Sequence, residues 1–203
     1  MQVFDQSALS DFSSETRRNF LNKISGIRTA HLIGSANSRG DLNLALFNSI
    51  VHIGAKPPLL GFILRPTTVR RDTYENILET GYYSINALST SMLKQAHQTS
   101  AKYEESVSEF ETTALEPEFS DTCEAPMVKG SPIQLLLKFE EEHFVKANET
   151  RLMVGRIIEA RIKENSLTED DHLKVEDLDL LTVSGLDTYF KVSALGRESC
   201  ARP

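Results

Sequence analysis

The chain has 203 residues, 40% of them apolar and 25% charged, the balance of one globular domain with enough length to bury a full core. No apolar run approaches the roughly 18 residues of a membrane span, so no membrane partner is expected. A formal charge of −7 argues against a nucleic-acid partner, because phosphate backbones are held by clustered Lys and Arg.

The N-terminus, MQVFDQSALSDF, lacks a basic segment followed by an apolar stretch, so a cytoplasmic location is the expectation. Residues 7–25 read as an outer helix, with Phe20, Leu21 and Ile24 as a short stripe, Ser13 or Ser14 as cap and Ser25-Gly26 as stop. Residues 27–36 alternate with the period of a strand. The turn NSRGD at 37–41 closes a hairpin, which makes 42–53 the partner strand. GAKPP separates it from a third strand at 59–64.

Arg65, Pro66, Thr67, Thr68, Arg70 and Arg71 come next, and a helix over 72–80 starts at once. Asp72 and Glu75 have a capping-box-like spacing, and Gly81 ends the helix. Hydroxyls, guanidinium groups and a helix N-terminus converge within eight residues. Such donors suit a phosphate, each charge-assisted hydrogen bond contributing about 1.5–3 kcal/mol. The same residues also suit a plain turn and helix cap. Arg65, Arg70 and Arg71 are the densest basic cluster in the chain, sized for one small phosphate ligand.

A fourth strand at 82–88 leads to a short helix beginning near Ser89, Thr90 and Ser91, with Met92, Leu93 and Ala96 facing inward, and AHQTSAKY at 96–103 leaves it as a polar loop. The acidic stretch 104–130 reads as an ordered excursion anchored by Phe110, Leu115, Phe119 and Met127, with disorder as the alternative. Ile133, Leu135, Leu137 and Phe139 alternate with Gln134, Lys138 and Glu140, a strand with one buried and one wet face, and Glu140–Glu142 with His143 reads as its solvated end. Residues 151–162 repeat the pattern, with Leu152, Val154, Ile158, Ala160 and Ile162 on one side. Arg156 breaks that face as a barrel edge or a polar site. After an acidic stretch at 165–179, residues 180–194 supply a final strand.

Six or seven strands and three short helices argue for a mainly β, closed or nearly closed antiparallel barrel. Cys123 and Cys200 have no CxxC spacing and fit reduced thiols, with one disulfide still open to them. The five histidines show no metal-like arrangement, and no GxSxG, P-loop or GxGxxG motif supports hydrolysis, P-loop phosphoryl transfer or a Rossmann cofactor site.

The stretch 43–86 (NLALFNSIVHIGAKPPLLGFILRPTTVRRDTYENILETGYYSIN) resembles the flavin reductase-like family of the FMN-binding split-barrel fold, which includes the flavoredoxins. So do AHQTSAKY with SEFE after it, ETRLMVGRII, and GLDTYFKV with the terminal ARP. The resemblance covers most of the chain and implies one domain over 1–203, an antiparallel Greek-key split barrel with a few peripheral helices. It also implies a homodimer with one FMN at each end of the subunit interface, FAD being possible in its place. In that reading the backbone of Asn43, Ala45, Asn48, Ser49 and Ile50 faces the flavin ring, while Arg65, Thr67, Thr68 and Arg71 hold the phosphate. Asn86, Ser100 and Lys102 complete the pocket, with the Lys102 cation placed to stabilise an anionic reduced flavin. His97 sits close to that pocket.

The activity implied is hydride transfer from NAD(P)H to flavin, and on to a partner monooxygenase or another acceptor. Holding two rings face to face needs little acid–base machinery, so these are binding residues and no catalyst is singled out. Three departures stand out: Thr150 where the family carries a histidine, Arg156 in place of an acid after Gly155, and Asn48 where serine is common. A non-catalytic flavin-binding or haem-degradation-related protein, and a pyridoxamine-phosphate-oxidase-like FMN oxidase, remain as alternatives.

Overall fold

The structure is a computed structural model and describes residues 1–104 and 107–202. Of the expected excursion, Glu105 and Ser106 lie outside the described residues, as does Pro203 of the terminal ARP. In chain order the elements are α1 (Gln6–Ser10), α2 (Ser14–Ile24), β1 (Arg28–Thr29), β2 (His31–Ala36), β3 (Leu42–Phe47), β4 (Ile50–Ala55), β5 (Pro58–Leu64), α3 (Asp72–Thr80) and β6 (Tyr82–Ala87). There follow α4 (Leu93–Gln98), α5 (Glu109–Thr113), β7 (Pro117–Ser120), β8 (Cys123–Val128), β9 (Ile133–Val145), β10 (Thr150–Ile162), β11 (Leu181–Ser184) and β12 (Thr188–Lys191).

The principal sheet has seven antiparallel strands in the order β3-β2-β6-β9-β10-β5-β4. The first and last strands are consecutive in the chain. Residues 42–53 are thus two strands rather than the single one expected: the chain breaks at Asn48 and Ser49, and its halves pair at opposite edges of the sheet. That crossover holds the two edges apart and makes the barrel split rather than closed. The adjacent polar residues Asn48 and Ser49 interrupt the apolar pattern there, but periodicity does not reveal that the two halves pair at opposite edges.

Inside the curl, Ile33, Phe62, Leu64, Ile77, Tyr83, Ile85, Leu137 and Met153 form one buried cluster. A second cluster, with Leu32, Leu44, Leu88, Phe110, Leu115, Val128, Leu181 and Val183, lies on the other side of β2. Burial on both faces explains why β2 carries the small residues Gly34 and Ser35. A Cβ at Gly34 would collide with the carbonyl oxygen of Pro126 on β8.

The excursion is ordered where it is described. Glu109 accepts from the edge-strand Leu44 N–H at 2.8 Å, and burial raises the pKa of this carboxyl. Phe110, Leu115 and Met127 are buried as anchors, but Phe119 is exposed. The β7–β8 hairpin covers the face of β9 expected to be wet: Gln134 is buried and donates to Val128 O at 2.8 Å, and Leu136 packs with Met127 and Ala125.

Other expectations need correction too. Of the face chosen for 151–162 only Val154 is buried; Met153 and Ile157 point into the core and Ile158 outward. An extra residue in β10 between Ile157 and Glu159 shifts the register and switches the faces. Arg156 does not mark an edge, since it lies exposed on a central strand, where it pairs with Glu140 at 2.7 Å. The helix over 7–25 is interrupted at 11–13: Ser13 caps α2 by accepting from Thr16 N–H, and Phe4, Phe12 and Phe20 pack edge to face at 5.2–5.6 Å. The last strand is a hairpin, β11–β12, completed by β1. The two cysteines are free.

Candidate functional site

Strand register carries the core's inner face outward to one end of the barrel. Phe62, Met153 and Glu142 stand side by side on β5, β10 and β9, and the next inward-facing row is Leu64, Arg151 and Phe144. Apolar core therefore gives way to an ion pair at the rim. Arg151 Nη1 meets Glu142 Oε1 at 2.7 Å, and the guanidinium carbon lies 5.2 Å from the Tyr74 ring centre and 5.1 Å from that of Phe144. Tyr74, on α3, donates its hydroxyl to the same Oε1 at 3.4 Å, and burial together with the Glu142 charge raises its pKa. Arg151 Nε and Glu142 Oε2 are buried without a hydrogen-bond partner.

The predicted phosphate cluster lies beside this pair. Leu64 opposes Arg151, so the loop that begins at Arg65 starts at the rim, and Arg151 Nη2 donates to Thr67 Oγ1 at 3.5 Å. Arg65 and Thr68 are exposed, Thr67 and Arg71 half-buried. Arg71 Nε donates to Pro66 O at 3.5 Å across the loop, while Arg70 is paired with Asp72 at 2.8 Å. The expected capping box is absent. Arg71 holds the cap position in an extended conformation without a side-chain cap bond, which makes Asp72 the first helical residue.

The β3–β4 crossover is next to this loop. Ser49 Oγ contacts both Ile63 N and Ile63 O at 3.2 Å, substituting for a rung of the β4–β5 ladder two residues before Arg65. Asn48 Nδ2 donates to Gly185 O at 2.9 Å, at the β11–β12 turn. Ile50 opposes Phe62 and packs on the core. Further along the hairpin, Tyr189 Oη lies 2.8 Å from His97 Nδ1 on α4, and Ser100 donates to His97 O at 2.7 Å, with Lys102 exposed just beyond. Three separate sets of contacts result: Arg151 with Thr67, the Ser49–Asn48 crossover with Ile63 and Gly185, and Tyr189 with His97 and Ser100.

Three predicted residues stand apart from these sets. Asn86 is 0% exposed, donates to Leu32 O at 3.1 Å and Ser84 Oγ at 2.9 Å, and accepts from Val128 N–H at 2.9 Å, so no group is left for a ligand. Asn43 donates to Thr73 Oγ1 at 2.9 Å and ties β3 to α3, and Ala45 is half-buried opposite Ile33. Conversely, sequence reasoning missed Arg151, Tyr74 and Glu142. The available signal was the strand period: Arg151 lies two residues before the core residue Met153, hence on the same face.

Cavities of about 930, 570 and 270 Å³ surround the β2–β3 turn, the largest lined by Arg39, Asp41, Leu42, Ser108, Phe110 and Pro117 among others. None is lined by a predicted residue. The chemistry favours the rim, where donors converge, over the larger hollow, whose Asp41, Glu104 and Glu111 are a poor lining for an anion.

The sequence profile of the flavin reductase like domain matches residues 25–179. A split-barrel protein of Shewanella frigidimarina NCIMB 400 assigned as a flavin reductase is 37% identical, with 99% of this chain and 100% of that one covered and a TM-score of 0.94. Nitrilotriacetate monooxygenase component B from Bacillus cereus shares the fold at 21% identity, covering 98% of both chains with a TM-score of 0.85. An NADH:FAD oxidoreductase of Streptomyces globisporus C-1027 does so at 13% identity, covering 96% of this chain and 99% of its own, with a TM-score of 0.72.

Proposed function

Because the chain belongs to the flavin reductase-like family, we propose that it is an NAD(P)H-dependent flavin oxidoreductase that works with FMN. The observation that carries this reading is the gathering of Arg65, Thr67, Thr68 and Arg71 on one loop at the open rim of the barrel, with Arg151 Nη2 donating to Thr67 from beside it. That donor set fits a phosphoryl group. The Asn48–Ile50 crossover, tied through Ser49 to Ile63 two residues before the loop, would border the ring.

A flavin held there would supply two-electron chemistry between a nicotinamide donor and an acceptor. The chain's own residues bind and orient. Arg65 and Arg71 attract the anionic end, Thr67 and Thr68 fix its position, and Lys102 sets a cation near the ring. FAD is the alternative flavin, in line with the NADH:FAD oxidoreductase of the same fold. A monooxygenase-type partner is the corresponding acceptor, as the name of the Bacillus component suggests.

The domain spans 1–203 in this reading, works in the cytoplasm and pairs with a second copy. The outer sheet face supports pairing, since Val51, Ile53 and Ile63 are 42%, 43% and 38% exposed on adjacent strands β4 and β5. A second copy would also wall in a rim that one chain leaves open. Light scattering giving a monomer mass would remove that part of the reading.

Anaerobic titration of the purified protein with FMN and then NADH or NADPH tests the activity. The expected result is bleaching of the flavin band near roughly 450 nm, with one donor preferred. Flavin that binds but does not bleach favours a flavin-binding protein. Thr150 gives that second reading a specific basis: it donates to Asn148 Oδ1 at 2.8 Å within the β9–β10 turn and does not replace a histidine's chemistry. Peroxide release on oxidation of an amine substrate would point instead to the oxidase alternative.

A further inference from the structure

We propose that Arg151 is a positioning residue that makes the site prefer a phosphorylated over an unphosphorylated flavin, an inference that rests on the flavin reading above. A guanidinium only donates hydrogen bonds, whereas a hydroxyl has one hydrogen to give and lone pairs to receive. With Arg151 Nη2 donating to Thr67 Oγ1, the Thr67 hydrogen is left to be given elsewhere, and the ligand it suits is an acceptor without hydrogens, such as a phosphate oxygen. At 3.5 Å the contact is long, as contacts in unliganded sites commonly are.

Arg151 has little freedom to do anything else. One nitrogen is taken by Glu142 at 2.7 Å, the rings of Tyr74 and Phe144 lie against the guanidinium, and Nε is buried. Its remaining direction is toward Thr67. Because Glu142 neutralises the charge, the pair adds orientation to the loop rather than attraction for any anion. Arg65 and Arg71 supply the attraction.

The test compares dissociation constants for FMN and riboflavin, read from quenching of flavin fluorescence by the full chain. The variants are Thr67→Val, Arg151→Lys, and Arg151→Met combined with Glu142→Gln so that no unpaired buried carboxylate remains. The native protein is expected to bind FMN about tenfold or more tighter than riboflavin. The Arg151→Met/Glu142→Gln protein should lose about tenfold for FMN and stay within about twofold for riboflavin, the size of one charge-assisted hydrogen bond. Arg151→Lys should recover part of the loss, and adding Thr67→Val to the double variant should cost little more. Parallel weakening of both flavins, or additive losses, would mean that Arg151 only holds the rim together and would overturn the inference. Thr67→Val, at a half-buried loop position, carries the same FMN-against-riboflavin comparison without touching the half-buried Arg151–Glu142 pair. Equal native affinity for the two flavins overturns the inference alone. Native protein that binds neither overturns the flavin reading beneath it.

Discussion

Two polar clusters, one buried around Asn86 and one half-buried at the rim around Arg151, differ in how completely they are satisfied. Around Asn86 the groups close on themselves: its amide and carbonyl reach Leu32, Ser84 and Val128, while Ser84 donates to Pro126 O at 2.5 Å and Gln134 donates to Val128 O. Around Arg151 they do not. A guanidinium nitrogen and a carboxylate oxygen are buried without partners, and the neighbouring loop presents hydroxyls and arginines outward. Buried polar groups are almost always paired, so the closed set reads as architecture and the open one as a place where something docks.

The largest effect that could break this contrast is at Asn86. Asn86→Ala leaves the Val128 N–H without its partner in the core, and unfolding in urea should report a loss of about 2–3 kcal/mol. Flavin affinity of the molecules that remain folded should hold. A variant with near-native stability and lost flavin binding would move Asn86 from the closed set to the site.

His31, outside both clusters, tests the cost of burial by pH. Its ring abuts the core with Nδ1 buried and unpartnered, and burial lowers its pKa from 6.5 to about 4. The folded state therefore resists protonation that the unfolded chain accepts. Stability contributed above pH 6.5 is lost as the pH falls through 6.5 toward about 4, by about 1–3 kcal/mol. Urea midpoints measured at steps across that range should fall for the native protein and stay flatter for His31→Leu. Equal slopes would show that the ring is freely protonated in place.

On the open side the effect should appear in binding rather than folding. Arg65 is exposed with a free reach to solvent, so Arg65→Ala should change stability by less than about 0.5 kcal/mol while weakening FMN about tenfold, and the loss should shrink at high salt. A stability loss without an affinity loss would reverse the assignment of this loop.

Strand periodicity and turn residues made β2, β5, β6, β9 and α3 legible, and the Arg65–Arg71 cluster with them, because each is local. What escaped depends on which segments meet. The polar pair Asn48-Ser49 in 42–53 reads as a short interruption of one strand, and only the pairing of the two halves with β2 and β5 shows them to be separate strands. Glu142 looked like a solvated strand end because nothing local shows that β9 runs on to Val145 and sets Glu142 beside Met153 and under Arg151. Asn86 looked like a site residue because its sequence neighbourhood resembles one. Its three partners come from β2, β6 and the end of the β7–β8 hairpin, and the last of these reads as irregular acidic chain.

Tyr83 supplies the smallest and sharpest test. It is 0% exposed, its hydroxyl has no partner, burial pushes its pKa far upward, and a Cβ at Gly155 would strike that hydroxyl. If an unsatisfied buried group marks a docking place, the rule must explain why this one does not. The difference is access. Tyr83 stands inside the apolar cluster, opposite Leu137, whereas Arg151 stands at the rim beside an exposed loop. An orphan without a path to solvent is only a cost, so Tyr83→Phe should leave FMN affinity unchanged and raise stability by up to about 1 kcal/mol in thermal unfolding. Flavin binding that weakens in Tyr83→Phe would mean that a ligand or water reaches the barrel interior, and the line drawn here between architecture and site would have to move inward past Met153.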